Sequence, residues 1–176
     1  MLIGISGSLR EKSINRKLMR EAARLYGGAF EEADIRFPLY DGDIEDSEGV
    51  PAEVVSLADK IKTAEAVIIS TPEYNQSFSG VLKNALDWLS RTDRRPWAGK
   101  PVALLSAAAG RSGGARASYA LRLAMTPFRP RLLPFEVMVA GAAKEFDEDG
   151  RLTSERYLKQ LDDIMSELKS EVRRGI

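Results

Sequence analysis

The run Gly7-Ser8-Leu9-Arg10-Glu11-Lys12-Ser13-Ile14-Asn15 concentrates groups that suit a phosphate. Its small residues let the backbone curl closely, Ser8 and Ser13 offer hydroxyls, Asn15 offers an amide, and Arg10 presents a planar cation for bidentate contact. The run follows a short apolar segment and leads into a periodic one, Leu18, Met19, Ala22 and Ala23. It therefore reads as a strand-to-helix turn, where first-turn N–H groups lack intrahelical partners and attract anions. The same residues also make an ordinary turn in which Ser13 caps a helix, and the spacing alone leaves both readings open.

Two further loops carry chemistry. Thr71-Pro72-Glu73-Tyr74-Asn75-Gln76-Ser77-Phe78-Ser79-Gly80 is long for a strand-to-helix connection and combines a rigid proline, an aromatic and several hydrogen-bonding side chains. Ser106-Ala107-Ala108-Ala109-Gly110-Arg111-Ser112-Gly113-Gly114 is small and glycine-rich, so a backbone there can approach a flat ligand. Together the three loops suit a phosphorylated planar molecule such as flavin mononucleotide (FMN).

The elements that must position these loops alternate along the chain. Apolar runs at 2–6, 33–37, 66–70, 102–107 and 136–140 read as strands, with helical patterns at 14–26, 51–63, 80–90, 115–125 and 154–173 between and after them. Five strands alternating with five helices predict an α/β fold with a parallel, doubly wound sheet. For strand order 2-1-3-4-5, ligands bind beyond the carboxyl ends of the strands near the first and third, where the three loops fall. Residues 41–49 are acidic and glycine-containing and read as a surface loop.

Length and composition bound the chemistry. The 176 residues fit one domain, expected to span 1–176. Cysteine and histidine are both absent, which removes thiolate nucleophiles, Ser-His pairs and the usual zinc ligands, so no metal site is expected and the hard chemistry falls to a cofactor. Lys+Arg and Asp+Glu both number 26, a balance that argues against nucleic acid as partner. No apolar run approaches membrane-spanning length and the first residues enter a strand directly, so a soluble, cytoplasmic protein is expected.

The ordered motifs Gly7-Ser8-Leu9-Arg10-x-x-Ser13-x-Asn15, Thr71-Pro72-Glu73-Tyr74-Asn75, Leu82-Lys83-Asn84-Ala85-Leu86-Asp87-Trp88 and Gly113-Gly114-Ala115-Arg116-Ala117 resemble the NADPH-dependent FMN reductase family, which includes quinone, azo-dye and chromate reductases. The resemblance implies a flavodoxin-like fold, non-covalent FMN, and NADPH or NADH as electron donor. Carried onto this chain, it implies that Ser8, Arg10, Ser13, Asn15 and the Ile14 backbone bind the phosphate. Pro72, Glu73, Tyr74 and Asn75 would line the ribityl and ring, and Ser106 with Ala107, Ala108 and Gly110 would border the other edge. Hydride would pass from NAD(P)H through the flavin to a small-molecule acceptor: a quinone, an azo compound, free flavin or a metal oxyanion. No side chain is then required as acid or base, Tyr74 is either a substrate wall or loop packing, and Glu73 contributes its backbone. The family often has proline where this chain has Ser79, a departure expected to loosen the loop near the ring.

An electron carrier of the flavodoxin kind is the alternative, but such carriers tend to be acidic and this chain is neutral. A receiver domain needs acidic residues where Ser6 and Ser70 stand, and a low-molecular-weight phosphatase needs a cysteine. Arg111, in a site loop, could attract the NADPH phosphate, whereas Arg116 and Arg122 read as helix surface. Asp147-Glu148-Asp149-Gly150 lacks the ligand spacing of a calcium loop and reads as a turn. On the helix at 81–89, Val81, Leu82, Ala85, Leu86 and Leu89 are expected to cover the sheet and leave Trp88 for a partner subunit; with what the family resemblance implies, a homodimer or homotetramer is expected.

Overall fold

The computed structural model describes residues 1–175. Three strands, β1 (Leu2–Ser6), β3 (Ala66–Thr71) and β4 (Pro101–Ala107), are buried along their whole length. Continuous burial of this kind is what parallel strands covered on both faces require. They pair in parallel, with Ile5 opposite Ile69, Ile69 opposite Leu104, and Thr71 opposite Ser106, so their carboxyl ends finish side by side. The edge strand β2 (Phe30–Ala33) lies beside β1, giving the order β2-β1-β3-β4, and two short segments, β5 (Arg131–Leu132) and β6 (Val137–Val139), both pair with β4.

Helices cover both faces. On one, α1 (Ile14–Tyr26) and α6 (Glu155–Arg174) bury stripes that include Leu18, Met19, Ala22, Leu161, Ile164 and Leu168. Their spacing of three and four residues is that of an amphipathic helix on a core. On the other, α3 (Ala52–Thr63), α4 (Gly80–Ser90) and α5 (Ala115–Met125) contribute Val54, Ile61, Leu82, Leu86 and Leu121. The expected doubly wound α/β architecture is present, and three helices, α1, α4 and α5, have the expected bounds.

The second strand is an error of placement: it occupies Phe30–Ala33, not 33–37. After Ala33 the Asp34 carboxylate takes the Arg36 N–H and the Phe37 N–H turns back to the Ile35 carbonyl, so the alternating Ile35 and Phe37 lie in a curled segment. Residues 41–49 are not a loop: they hold the helix α2 (Gly42–Glu48), capped by Asp41, which accepts from the Asp43 N–H at 2.9 Å. None of its residues is buried, so it has no apolar stripe to read. The expected strand at 136–140 shares the sheet edge with β5, the two being separated where Pro134 lacks an N–H for the ladder.

Trp88 also departs from expectation. It is fully buried, donating its Nε1 hydrogen to the Pro38 carbonyl at 2.8 Å and meeting the Tyr40 ring edge-on at 5.0 Å. The segment following β2 already covers it, so it offers no surface to another subunit. Among the described residues, no helix is long and apolar enough to cross a membrane.

Candidate functional site

Three loops leave the carboxyl ends of β1, β3 and β4 at one end of the sheet. At the start of the first, Gly7 donates its N–H to the Ser70 carbonyl at 2.8 Å. A Cβ at Gly7 would stand 2.9 Å from Thr71 Oγ1 and 3.1 Å from Ser79 Oγ, so only glycine lets the first and second loops approach this closely. Ser8 and Ser13 are both buried beside the amino terminus of α1. Ser13 caps that helix, its Oγ accepting the Arg16 N–H at 3.4 Å, and the first-turn N–H groups of Ile14 and Asn15 stay outside the helical ladder. The capped turn is present, and the same residues form a cradle whose buried hydroxyls and outlying first-turn N–H groups have the chemistry an anion needs.

Two arginines brace the cradle from outside. Arg16 Nη1 donates to the Arg10 carbonyl at 3.4 Å and Arg36 Nη2 to the Leu9 carbonyl at 3.3 Å. Each is held by a carboxylate, Arg16 by Glu32 at 2.5 Å and Arg36 by Asp34 at 3.0 Å. Neither brace was legible in the motif; Arg16 had only its place in the first turn to mark it, and Arg36 nothing. The Arg10 side chain is exposed at the mouth of the loop.

The Asn15 side chain, unlike its N–H, is engaged away from the cradle. Its Nδ2 donates to the Ala107 carbonyl, while its Oδ1 accepts the Ala107 N–H and the Ser70 hydroxyl, all at 3.0 Å. The amide is thus a buried strut joining α1 to the ends of β3 and β4, with one hydrogen left over.

In the second loop, Pro72 is buried and Tyr74 is half exposed. Tyr74 and Ser77 exchange backbone hydrogen bonds of 2.9 and 3.1 Å across a two-residue turn. Asn75 and Gln76 at its tip have φ of +49° and +66°, the signs a type I′ turn demands. Ser79 does not loosen the loop: it is buried and caps α4, accepting the Leu82 N–H at 3.4 Å. The Glu73 carboxylate reaches the amino terminus of α5. Its Oε2 accepts the Arg116 N–H at 3.2 Å and its Oε1 meets the guanidinium at 3.4 Å, so Arg116 is more than helix surface.

In the third loop, Ser106 is fully buried and donates its hydroxyl to the Gly113 carbonyl at 2.7 Å, so its side chain fixes the loop. Gly113, at φ +62°, packs where a Cβ would lie 2.7 Å from the Met138 backbone. Ala108 is anchored to β6 through the Val139 carbonyl, leaving Ala109, Gly110, Arg111 and Ser112 exposed. The three loops thus form a cradle at the start of α1 with an exposed shelf between the Tyr74 turn and the 109–112 segment. Its buried hydroxyls, its free helix-start N–H groups and Arg10, which pairs with no carboxylate among the described residues, fit a phosphate, and the shelf fits a flat ring.

A family model described as NADPH-dependent FMN reductase matches residues 1–144. An NAD(P)H-dependent FMN reductase of Pseudomonas aeruginosa is 43% identical over 178 residues, covering 98% of this chain and 95% of its own. A quinone reductase of Escherichia coli K12 is 45% identical over 127 residues, covering 69% of this chain and 66% of its own. Among solved structures, the flavoenzyme NAD(P)H:(acceptor) oxidoreductase FerB of Paracoccus denitrificans superposes with a TM-score of 0.87 at 30% identity, covering 98% of this chain and 97% of that one.

Proposed function

Because the chain belongs to the NADPH-dependent FMN reductase family, oxidoreductases that depend on FMN and NAD(P)H, we propose that it reduces small organic and inorganic acceptors by hydride transfer through FMN held in the β1 cradle. The observation that carries this reading is the junction of an anion cradle at the α1 amino terminus with an exposed shelf beside it. FMN, when bound, supplies the atom that takes hydride from NAD(P)H and gives it to the acceptor.

The chain's own residues bind and orient. Ser8, Ser13, the Ile14 and Asn15 N–H groups and Arg10 hold the phosphate, Arg10 by charge at the mouth and the others from within. Pro72 with the Glu73, Tyr74 and Asn75 backbone walls one side of the ribityl and ring. Ala107, Ala108 and Gly110 border the other side through their backbone. The half-exposed Tyr74 ring stands where a planar acceptor or a nicotinamide could stack. The role of this scaffold is to bring donor, ring and acceptor within reacting distance, about 3.5 Å.

Quinones head the acceptors in this reading, with azo compounds, free flavin and metal oxyanions beside them, since an open shelf selects weakly. The carrier alternative has no support among the relatives, whose names are those of reductases. The same reading takes the chain as one cytoplasmic unit that works as a homodimer or homotetramer. With Trp88 buried, the surface suited to a second copy is the exposed face of α5, where Tyr119 and Leu123 lie one turn apart at 59% and 75% exposure.

Initial rates of NADPH and NADH oxidation with 1,4-benzoquinone, methyl red, potassium chromate and free FMN test the proposal. Quinone-dependent turnover is expected. If none of the four raises the rate above that with dissolved oxygen alone, the acceptor assignment fails.

A further inference from the structure

A cavity of about 420 Å³ lies at the opposite end of the sheet, between the end of α4, the connection into β4 and the turn after α5. Its size is that of a small-molecule site. The β4 strand separates it from the cradle by about 20 Å of strand rise. Leu89, Pro96, Trp97 and Phe128 supply apolar and aromatic walls, and Arg95 and Arg129 also line it.

Three observations make this more than a surface dent. Trp97 is 1% exposed, and its indole Nε1 is buried with no acceptor among the described residues. Buried indole N–H groups ordinarily find one. Arg95 and Arg129 adopt left-handed backbone, with φ of +46° and +58°, a conformation that disfavours a side chain of this kind. Both turns are pinned by backbone bonds, from Ala98 N–H to the Arg95 carbonyl at 3.2 Å and from Gly99 N–H to the Arg129 carbonyl at 2.9 Å. Lastly, Arg94 pairs with Asp59 at 2.7 Å, whereas among the described residues no carboxylate pairs with Arg95 or Arg129. Strain of this sort held by a rigid surround marks places where a side chain has a task.

We propose that this cavity binds a flat organic anion, an aryl carboxylate or sulfonate. Its ring lies among Trp97, Phe128 and Pro96, and its anionic group is paired by Arg95 and Arg129. The site is separate from the flavin cradle and does not depend on the acceptor assigned above.

The test is calorimetric titration of the FMN-loaded protein with naphthalene-2-carboxylate, alongside its neutral analogue naphthalene-2-carboxamide. Saturable binding of one molecule per chain is expected, at least tenfold weaker for the amide. The double variant Arg95→Gly, Arg129→Gly removes both cations while glycine adopts the left-handed backbone freely, so it should stay folded and bind the carboxylate at least tenfold more weakly. Absence of saturable binding at millimolar carboxylate, equal affinity in the double variant, or release of FMN during the titration would each overturn the proposal.

Discussion

Glu73 and Arg116 join two of the three site loops: from the loop after β3, the Glu73 carboxylate accepts the Arg116 N–H at 3.2 Å and sits 3.4 Å from its guanidinium. The contact places a negative charge at the amino terminus of α5, where the helix dipole favours it. It also engages the acid with α5, leaving the backbone of the loop as the part offered to the cradle.

Replacing Glu73 by Ala should remove about 1 kcal/mol, as loss of a helix-start acceptor does, and lower Tm by about 2–4 °C. FMN affinity should fall a few-fold as the two loops separate. Thermal melts of apo and FMN-loaded protein check both effects; an unchanged apo melt would show the contact to be idle.

Asn15→Ala distinguishes a strut from a ligand. The substitution strands the Ala107 N–H and carbonyl and the Ser70 hydroxyl in a buried setting, which should cost about 3 kcal/mol in the apo protein. Urea unfolding without FMN reads it. Full apo stability with weakened FMN binding would return Asn15 to the phosphate.

Arg10→Ala should do the reverse. The side chain is exposed, so apo stability should hold within about 0.5 kcal/mol. Loss of a charge-assisted phosphate contact should weaken FMN by about tenfold or more. Flavin fluorescence titration measures it, and unchanged affinity would remove Arg10 from the cradle.

Tyr26 sets a limit at alkaline pH. Burial first, and then the Glu65 carboxylate beside it, push its hydroxyl from 10.0 up to about 12, partly opposed by Arg173. The folded chain keeps a proton that the unfolded chain releases, so this contribution is complete below the unfolded value and is lost as pH rises towards the folded one. Tyr26→Phe should flatten the fall in urea midpoint across that window, and an unchanged slope would place the loss elsewhere.

The central strands and the bounds of α1, α4 and α5 were legible because continuous apolar runs mark strands covered on both faces and apolar stripes mark helices at a period of 3.6. The helix α2 was not, since it buries nothing, and β2 was misplaced because Ile35 and Phe37 alternate like a strand while lying in a curl. At the site, sequence located the loops but not the direction of their side chains. Asn15 and Ser106 are the polar residues a ligand would want, yet each is taken up by neighbouring backbone. Trp88 went wrong for a related reason: its cover comes from Pro38 and Tyr40, fifty residues away in the case of Pro38, and no helical periodicity records such a contact.

The visible spectrum of the purified protein reconstituted with FMN, taken before and after anaerobic addition of NADPH, reads both flavin binding in the cradle and hydride transfer from the donor. Bound-flavin bands that bleach within seconds are expected. Bound flavin that stays oxidised with both NADPH and NADH would contradict the proposed hydride transfer, and failure to bind flavin would contradict the cradle itself.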